Sequence, residues 1–248
     1  MLSGSRVIIF IINLAFCVVG CSAVSLERFN NNFKVKQSEI YENSMFGPEE
    51  EIHLSEQLSI MTGHVRAGLE LLVRGEFDMA EAHLMHPISE TDKDQKDSLK
   101  RFGLSEERFH ELATLIRNGE TEKLVLDKAL LLIGEMERIQ KEISSDTSKN
   151  ILTLLRLASE EYSIALVDNM VFDTNEYQDA YGFILEAKHQ SKKMHPAISG
   201  KTRAKLEKIQ NLWVDGVIPT TTPTPEDDMR TSISQTVEEL KIFWEDFH

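Results

Sequence analysis

The stretch "PEEEIHLSEQLSIMTGHVRAGLELLVRGEFDMAEAHLMHP", Pro48 to Pro87, decides the fold class. Pro48 suits the first position of a helix, and Glu49, Glu50 and Glu51 follow where the helix dipole favours acid. Leu54, Leu58, Met61, Val65, Leu69 and Leu72 then recur every three or four residues, which predicts an amphipathic helix ending near Gly75. Asp78 to His86 reads as a second, short helix that Pro87 is expected to stop. Together the two make a helical hairpin.

The same period governs the chain beyond Pro87. Ser105 is placed to cap a helix carrying Phe109, Leu112, Leu115 and Ile116, and a long helix is predicted from about Glu120 to Ile143, with Leu124, Ala129, Leu131, Leu132 and Met136 among its apolar residues. "SSDTS" breaks the pattern, and Ile151, Leu155, Ala158, Tyr162 and Ala165 carry it on to about Asp168. Asp173, with Glu176 three residues on, has the spacing of a capping box, and its helix is expected to reach about Met194 before His195-Pro196. Ile198 to Val214 is helical again, and no segment alternates as a strand would. The reading is an all-α antiparallel helical bundle over residues 48–218, with a Pro/Thr linker at 219–225 and a tethered C-terminal helix at 226–248.

The chain carries 27 basic and 41 acidic residues, a formal charge of −14, so nucleic acid is not an expected partner. Arg6 is followed by an apolar run, Val7 to Val19, that is too short to span a membrane as an ordinary helix and has the form of an export signal. Its ending, Val18-Val19-Gly20-Cys21, resembles the bacterial lipobox. That resemblance implies a signal peptide at residues 1–20, lipidation of Cys21, a flexible tether over 21–47 and stable anchoring by several acyl chains. Ser22, in place of an aspartate, implies the outer membrane of the bacterial envelope, with the protein facing the periplasm. Cys17 would leave with the signal, so no thiol remains for a disulfide or a cysteine-based site.

Histidines supply the chemistry instead. His83 and His86 lie one turn apart, and a hairpin folding back at Gly75 brings His64 toward them, with Glu90 four residues beyond His86. A second constellation places Glu160, Glu161, Tyr162, Glu176, Tyr177, Asp179 and Glu186 on two consecutive helices, where Glu160 or Glu161 would meet Asp179. Imidazoles and carboxylates in such company suit iron or another divalent transition metal. The competing reading is structural: histidines bonded to carbonyls or a carboxylate, Glu176 and Asp179 serving the start of a helix, and Tyr162 and Tyr177 packing. "GEFDMAEAHL" also looks like half of a tetratricopeptide-type hairpin, though no fixed-period repeat accompanies it.

The segment E-E-Y-x-x-A-x-x-x-x-x-V-x-x-x-x-E-Y-Q-D-A-x-G-F is similar to helical periplasmic domains associated with high-affinity iron permeases. It also resembles uncharacterised exported helical proteins carrying G-H-x-x-x-G and H-x-x-H-P-x-x-E, here Gly63-His64 with Gly68, and His83, His86, Pro87 and Glu90. His53 and Glu56 match H-x-x-E, the core of the imelysin signature, but Glu51 stands where that signature has glycine. The resemblance implies a periplasmic helical bundle and favours iron or another divalent metal. With the converging imidazoles, the reading is that His64, His83, His86 and Glu90 hold the metal for uptake or delivery, with Glu161 and Asp179 forming a second or shared site. A transporter or another envelope protein is the implied partner. The alternative is an envelope lipoprotein that docks another protein and holds no metal. No nucleophile elbow, phosphate loop or trustworthy Ser-His-Asp order is present, so binding is expected rather than catalysis.

Overall fold

The computed structural model describes residues 48–143, 145–214, 216–219 and 222–245. The signal, Cys21 and the tether lie outside the described residues. The described residues form one compact unit. Its helices are α1 (Pro48–Leu72), α2 (Phe77–Ser89), α3 (Lys93–Arg101), α4 (Glu106–Arg117), α5 (Glu122–Glu142), α6 (Thr147–Ala165), α7 (Thr174–Ser191), α8 (Pro196–Gln210) and α9 (Glu226–Glu245). Between α6 and α7 a two-residue pairing, β1 (Leu166–Val167) with β2 (Met170–Val171), makes a tight antiparallel hairpin. Asp168 and Asn169 turn it at φ of 54° and 58°, a conformation short polar side chains tolerate. The fold is all-α, and no described helix is long and apolar enough to cross a membrane.

Gly75 ends the first hairpin arm at φ 81°, where Glu76 N–H bonds to the Leu71 carbonyl and Gly75 N–H to that of Leu72, a Schellman closure. α2 then runs back along α1, which packs against both α2 and α7. Glycines set those approaches. A Cβ on Gly63 would sit 2.5 Å from the Phe183 ring, and one on Gly182 would overlap the Gly63 carbonyl and stand 2.9 Å from Ala67 Cβ. A Cβ on Gly68 would lie 3.1 Å from the Ala80 carbonyl of α2. Gly182→Ala is therefore expected to lower stability by about 1–3 kcal/mol, the usual cost of overpacking, read as a fall in the urea midpoint.

Several boundaries differ from the sequence reading, each for a local reason. α2 does not stop at Pro87 but continues to Ser89. Proline removes a single backbone donor near the end of the helix, while its carbonyl accepts from Thr91 Oγ1 at 2.6 Å. The polar run after it is α3, started by a capping box in which Asp92 accepts from Gln95 N–H and the Gln95 side chain accepts from Asp92 N–H. Leu131 points outward with Leu130, because α5 buries the neighbouring stripe of Val125, Ala129, Leu132 and Met136. The last helix, α9, packs on α6 and α8, and Trp244 is buried with its indole N–H on Thr202.

The core combines apolar contact with a buried polar ladder. Ser55 and Ser59 of α1 bond to Asn150, Gln140 and Gln190 from α6, α5 and α7, all at 3.2 Å or less. Such a ladder fixes the register of α1 against three neighbours, since a one-turn slip leaves several buried polar groups unpaired. That register sets the height of His64.

Candidate metal centre

α1, α2 and α7 each contribute to one buried cluster. His64 comes from α1, His83 and His86 from α2, and Asp179 from α7. One donor atom from each of the four lies within 4.8 Å of the others. His64 and His83 are 3% and 0% exposed and Asp179 is 2% exposed, while His86 is partly open.

The Asp179 carboxylate is the hub. His64 Nδ1 lies 2.5 Å and His83 Nδ1 2.8 Å from its Oδ1, and His86 Nδ1 lies 3.0 Å from its Oδ2. The rings pack edge to face, with centroids 4.9 Å apart for His83–His86 and 5.4 Å for His64–His86. Phe183, one turn beyond Asp179, covers His64 at 5.0 Å. Glu90 reaches in from past the end of α2, with Oε2 3.2 Å from His64 Nε2 and Oε1 3.8 Å from His86 Nδ1, and its carboxylate is about half exposed.

Burial pushes the His64 imidazole down, but the Asp179 and Glu90 carboxylates outweigh it and hold it up at about 10. His86 is opposed by burial in the same way, and its hydrogen bond to Asp179 still leaves it raised. Burial pushes the Asp179 carboxyl up, yet charged His64 and hydrogen bonds from His64, His83 and His86 hold it well below the usual carboxylate range.

A hydrogen bond on the far side of the ring fixes how His83 is presented. His83 Nε2 faces Gln178 Oε1 at 2.7 Å, and the Gln178 amide nitrogen lies 3.2 Å from the Met79 sulfur. A thioether can only accept, so the amide N–H₂ belongs on the sulfur side and Oε1 on the histidine side. His83 Nε2–H therefore donates to Gln178, and Nδ1 is the atom turned toward the centre of the cluster.

The sequence points to six candidate ligands, and the structure sorts them. His64, His83, His86 and Asp179 come together, and Glu90 stands at the edge. Glu161 faces Glu176 across α6 and α7. Burial first, then the hydrogen bond to Glu176 and the charges of Asp179 and Glu90, raise it to about 8. Glu176 is raised as well, by burial and by Asp179. The two carboxyls face each other, and neither is among the four donors that converge. Glu160 lies on the surface with Arg156, and Glu186 is buried against Arg66 Nε at 2.5 Å, so neither is available to the centre. Tyr162 and Tyr177 pack with Trp213, and the Tyr162 hydroxyl donates to the Thr224 carbonyl. His53 is exposed, 4.0 Å from Glu56, which accepts from Thr153, so the H-x-x-E match forms no part of the cluster. Gln178 was not legible as a partner of His83, since a glutamine between Tyr177 and Asp179 carries no signal of its own.

Residues 139–245 match the family model of the iron permease-associated 4-helix bundle domain. The matched part runs from the end of α5 through α9, so it holds Asp179, Gln178 and the Glu161–Glu176 pair, while the three histidines lie on the preceding hairpin. No curated protein and no solved structure matches the chain. From the last turn of α5 to the end of α9, the chain is similar to the helical bundle domains associated with iron permeases.

Proposed function

We propose that the protein binds a divalent transition metal, iron first among them, through His64, His83, His86 and Asp179, and delivers it to a membrane permease. It acts as a binding protein and not as an enzyme. One observation carries this reading: three imidazoles and a carboxylate, drawn from three helices, bring one donor atom each within 4.8 Å in a buried centre. Imidazole suits iron, zinc, copper and nickel, and a single carboxylate adds one hard donor, so calcium and magnesium are poor competitors. Glu90, half exposed and within reach of His64 and His86, is placed to take the ion in and let it go. The similarity to iron permease-associated domains supports iron as the cargo and a transporter as the receiver. The lipobox-like Val18 to Cys21 supports a lipid anchor holding the bundle in the periplasm, at the outer membrane.

The test is calorimetry and metal analysis on the protein from residue 22 onward, with iron(II), zinc, copper and manganese. One ion per chain at submicromolar affinity is expected, lost in His83→Ala/His86→Ala. Binding at or weaker than micromolar, unchanged in that variant, would defeat the proposal. Gln178→Leu leaves all four donors in place but removes the acceptor for His83 Nε2–H. It is expected to weaken metal binding by about 10- to 100-fold, the usual cost of losing a ligand's outer partner.

A further inference from the structure

Eleven large apolar side chains are exposed among the described residues, and their placement is uneven. Leu130, Leu131 and Ile242 lie on helix surfaces, and the other eight belong to three connections or the helix ends beside them. The α1–α2 turn shows Val73, Phe77 and Met79, and the α8–α9 connection shows Val214. The α6–α7 hairpin shows Ile164, Val167, Met170 and, at 81% exposure, Phe172.

These three connections meet at one end of the bundle. Asn169 of the hairpin accepts from Glu226 N–H at the start of α9, and Thr224 donates back to the Leu212 carbonyl. The Arg74 guanidinium of the α1–α2 turn lies beside Gly216. At the opposite end, where Gln57 meets Thr91 and Ser145 meets Asn150, the connections expose no large apolar side chain among the described residues. The apolar end is also acidic: Glu76, Asp78, Asp168, Asp227 and Asp228 are exposed there, against Arg74, Lys208 in the last turn of α8, and Arg230, which pairs with Asp227.

We infer that this end is a docking face for a protein whose matching surface is an apolar recess rimmed by lysine and arginine. Singly exposed apolar residues are ordinary, but eight gathered at one end are not. The charge selects the occupant. An anionic lipid surface would be repelled by these carboxylates, and a second copy of the chain would bring the same negative charge to the contact. A basic-rimmed protein gains from both features.

The inference stands apart from the metal centre, and its test keeps the two apart. A photo-crosslinking phenylalanine analogue is placed at Phe172 in the full chain, and at Leu131 as the control, in cells that make the protein. One protein captured at 172 and not at 131 is then identified and purified. Its dissociation constant is expected to rise about tenfold or more with Met170→Asp/Phe172→Asp, as for hot-spot residues, and to rise with salt. His83→Ala/His86→Ala should leave that constant unchanged. Capture of lipid alone, of a second copy, or of nothing at 172 would overturn the inference. So would a partner whose binding ignores both the double aspartate variant and salt.

Discussion

Asp179→Ala is expected to cost the metal-free protein about 3–5 kcal/mol and to abolish metal binding. Asp179 is the one group that all three imidazoles face, and it is buried. Removing it leaves charged His64 buried with only Glu90 opposite, the situation in which breaking a buried pair is most damaging. Asp179→Asn separates the two effects. It keeps the volume and an acceptor, so its stability loss should fall to about 1–3 kcal/mol, while the lost charge still removes most of the metal affinity. The pH profile carries a matching signature. His64 is raised when folded, so its contribution is complete below the unfolded value of about 6.5 and is lost as the pH climbs through about 10. Asp179 is depressed when folded, so its contribution is present above about pH 3.9 and is lost as acid protonates it. Both slopes should flatten in Asp179→Ala, measured as urea midpoints from about pH 3 to about pH 10.

The second large effect is on metal affinity itself. A histidine must lose its proton to ligate through that nitrogen, and His64 and His86 both hold theirs above the ordinary value. Between about pH 5 and 6 an ion entering the cluster displaces at least these two protons, and the Nδ1 proton that His83 donates to Asp179 must leave as well. Affinity should then rise about 100-fold or more per pH unit, tenfold for each proton released. As His86 gives up its proton, the slope should fall toward about tenfold per unit, sustained by His64 up to about pH 10. Calorimetry in two buffers of different ionisation enthalpy counts the protons directly: about one to two per ion near neutrality. A pH-independent affinity would mean that the imidazoles are not the ligands.

Much of the fold was legible because helical periodicity is written locally. Leu54 to Leu72 announces α1, Gly75 announces its end, and Asp173 caps α7 as its spacing indicates, accepting from Asn175 and Glu176 N–H. The boundary at Pro87 escapes such reading because a proline removes one backbone hydrogen bond, here the one to the His83 carbonyl, and the 13-residue helix keeps the rest. α3 was hidden because Lys93 to Arg101 buries only Leu99 and so shows no apolar stripe.

The centre was half legible. Two histidines one turn apart, and a third across a predicted hairpin, point to one another through local geometry alone. That Asp179 rather than Glu161 meets them depends on how α7 rolls against α1. The contacts of Gly63 with Phe183 and of Gly182 with Ala67 set that roll, at sequence separations no periodicity reports. The pairing of Glu161 with Glu176 is equally non-local.

The most direct measurement is a crystal structure of the protein grown anaerobically with one equivalent of iron(II), with anomalous scattering recorded at the iron edge. A single peak about 2.0–2.3 Å from the Nδ1 atoms of His64, His83 and His86 and from an Asp179 oxygen is the predicted result. An iron-free cluster with its rings still hydrogen-bonded to Asp179, or a peak elsewhere on the acidic surface, would contradict it.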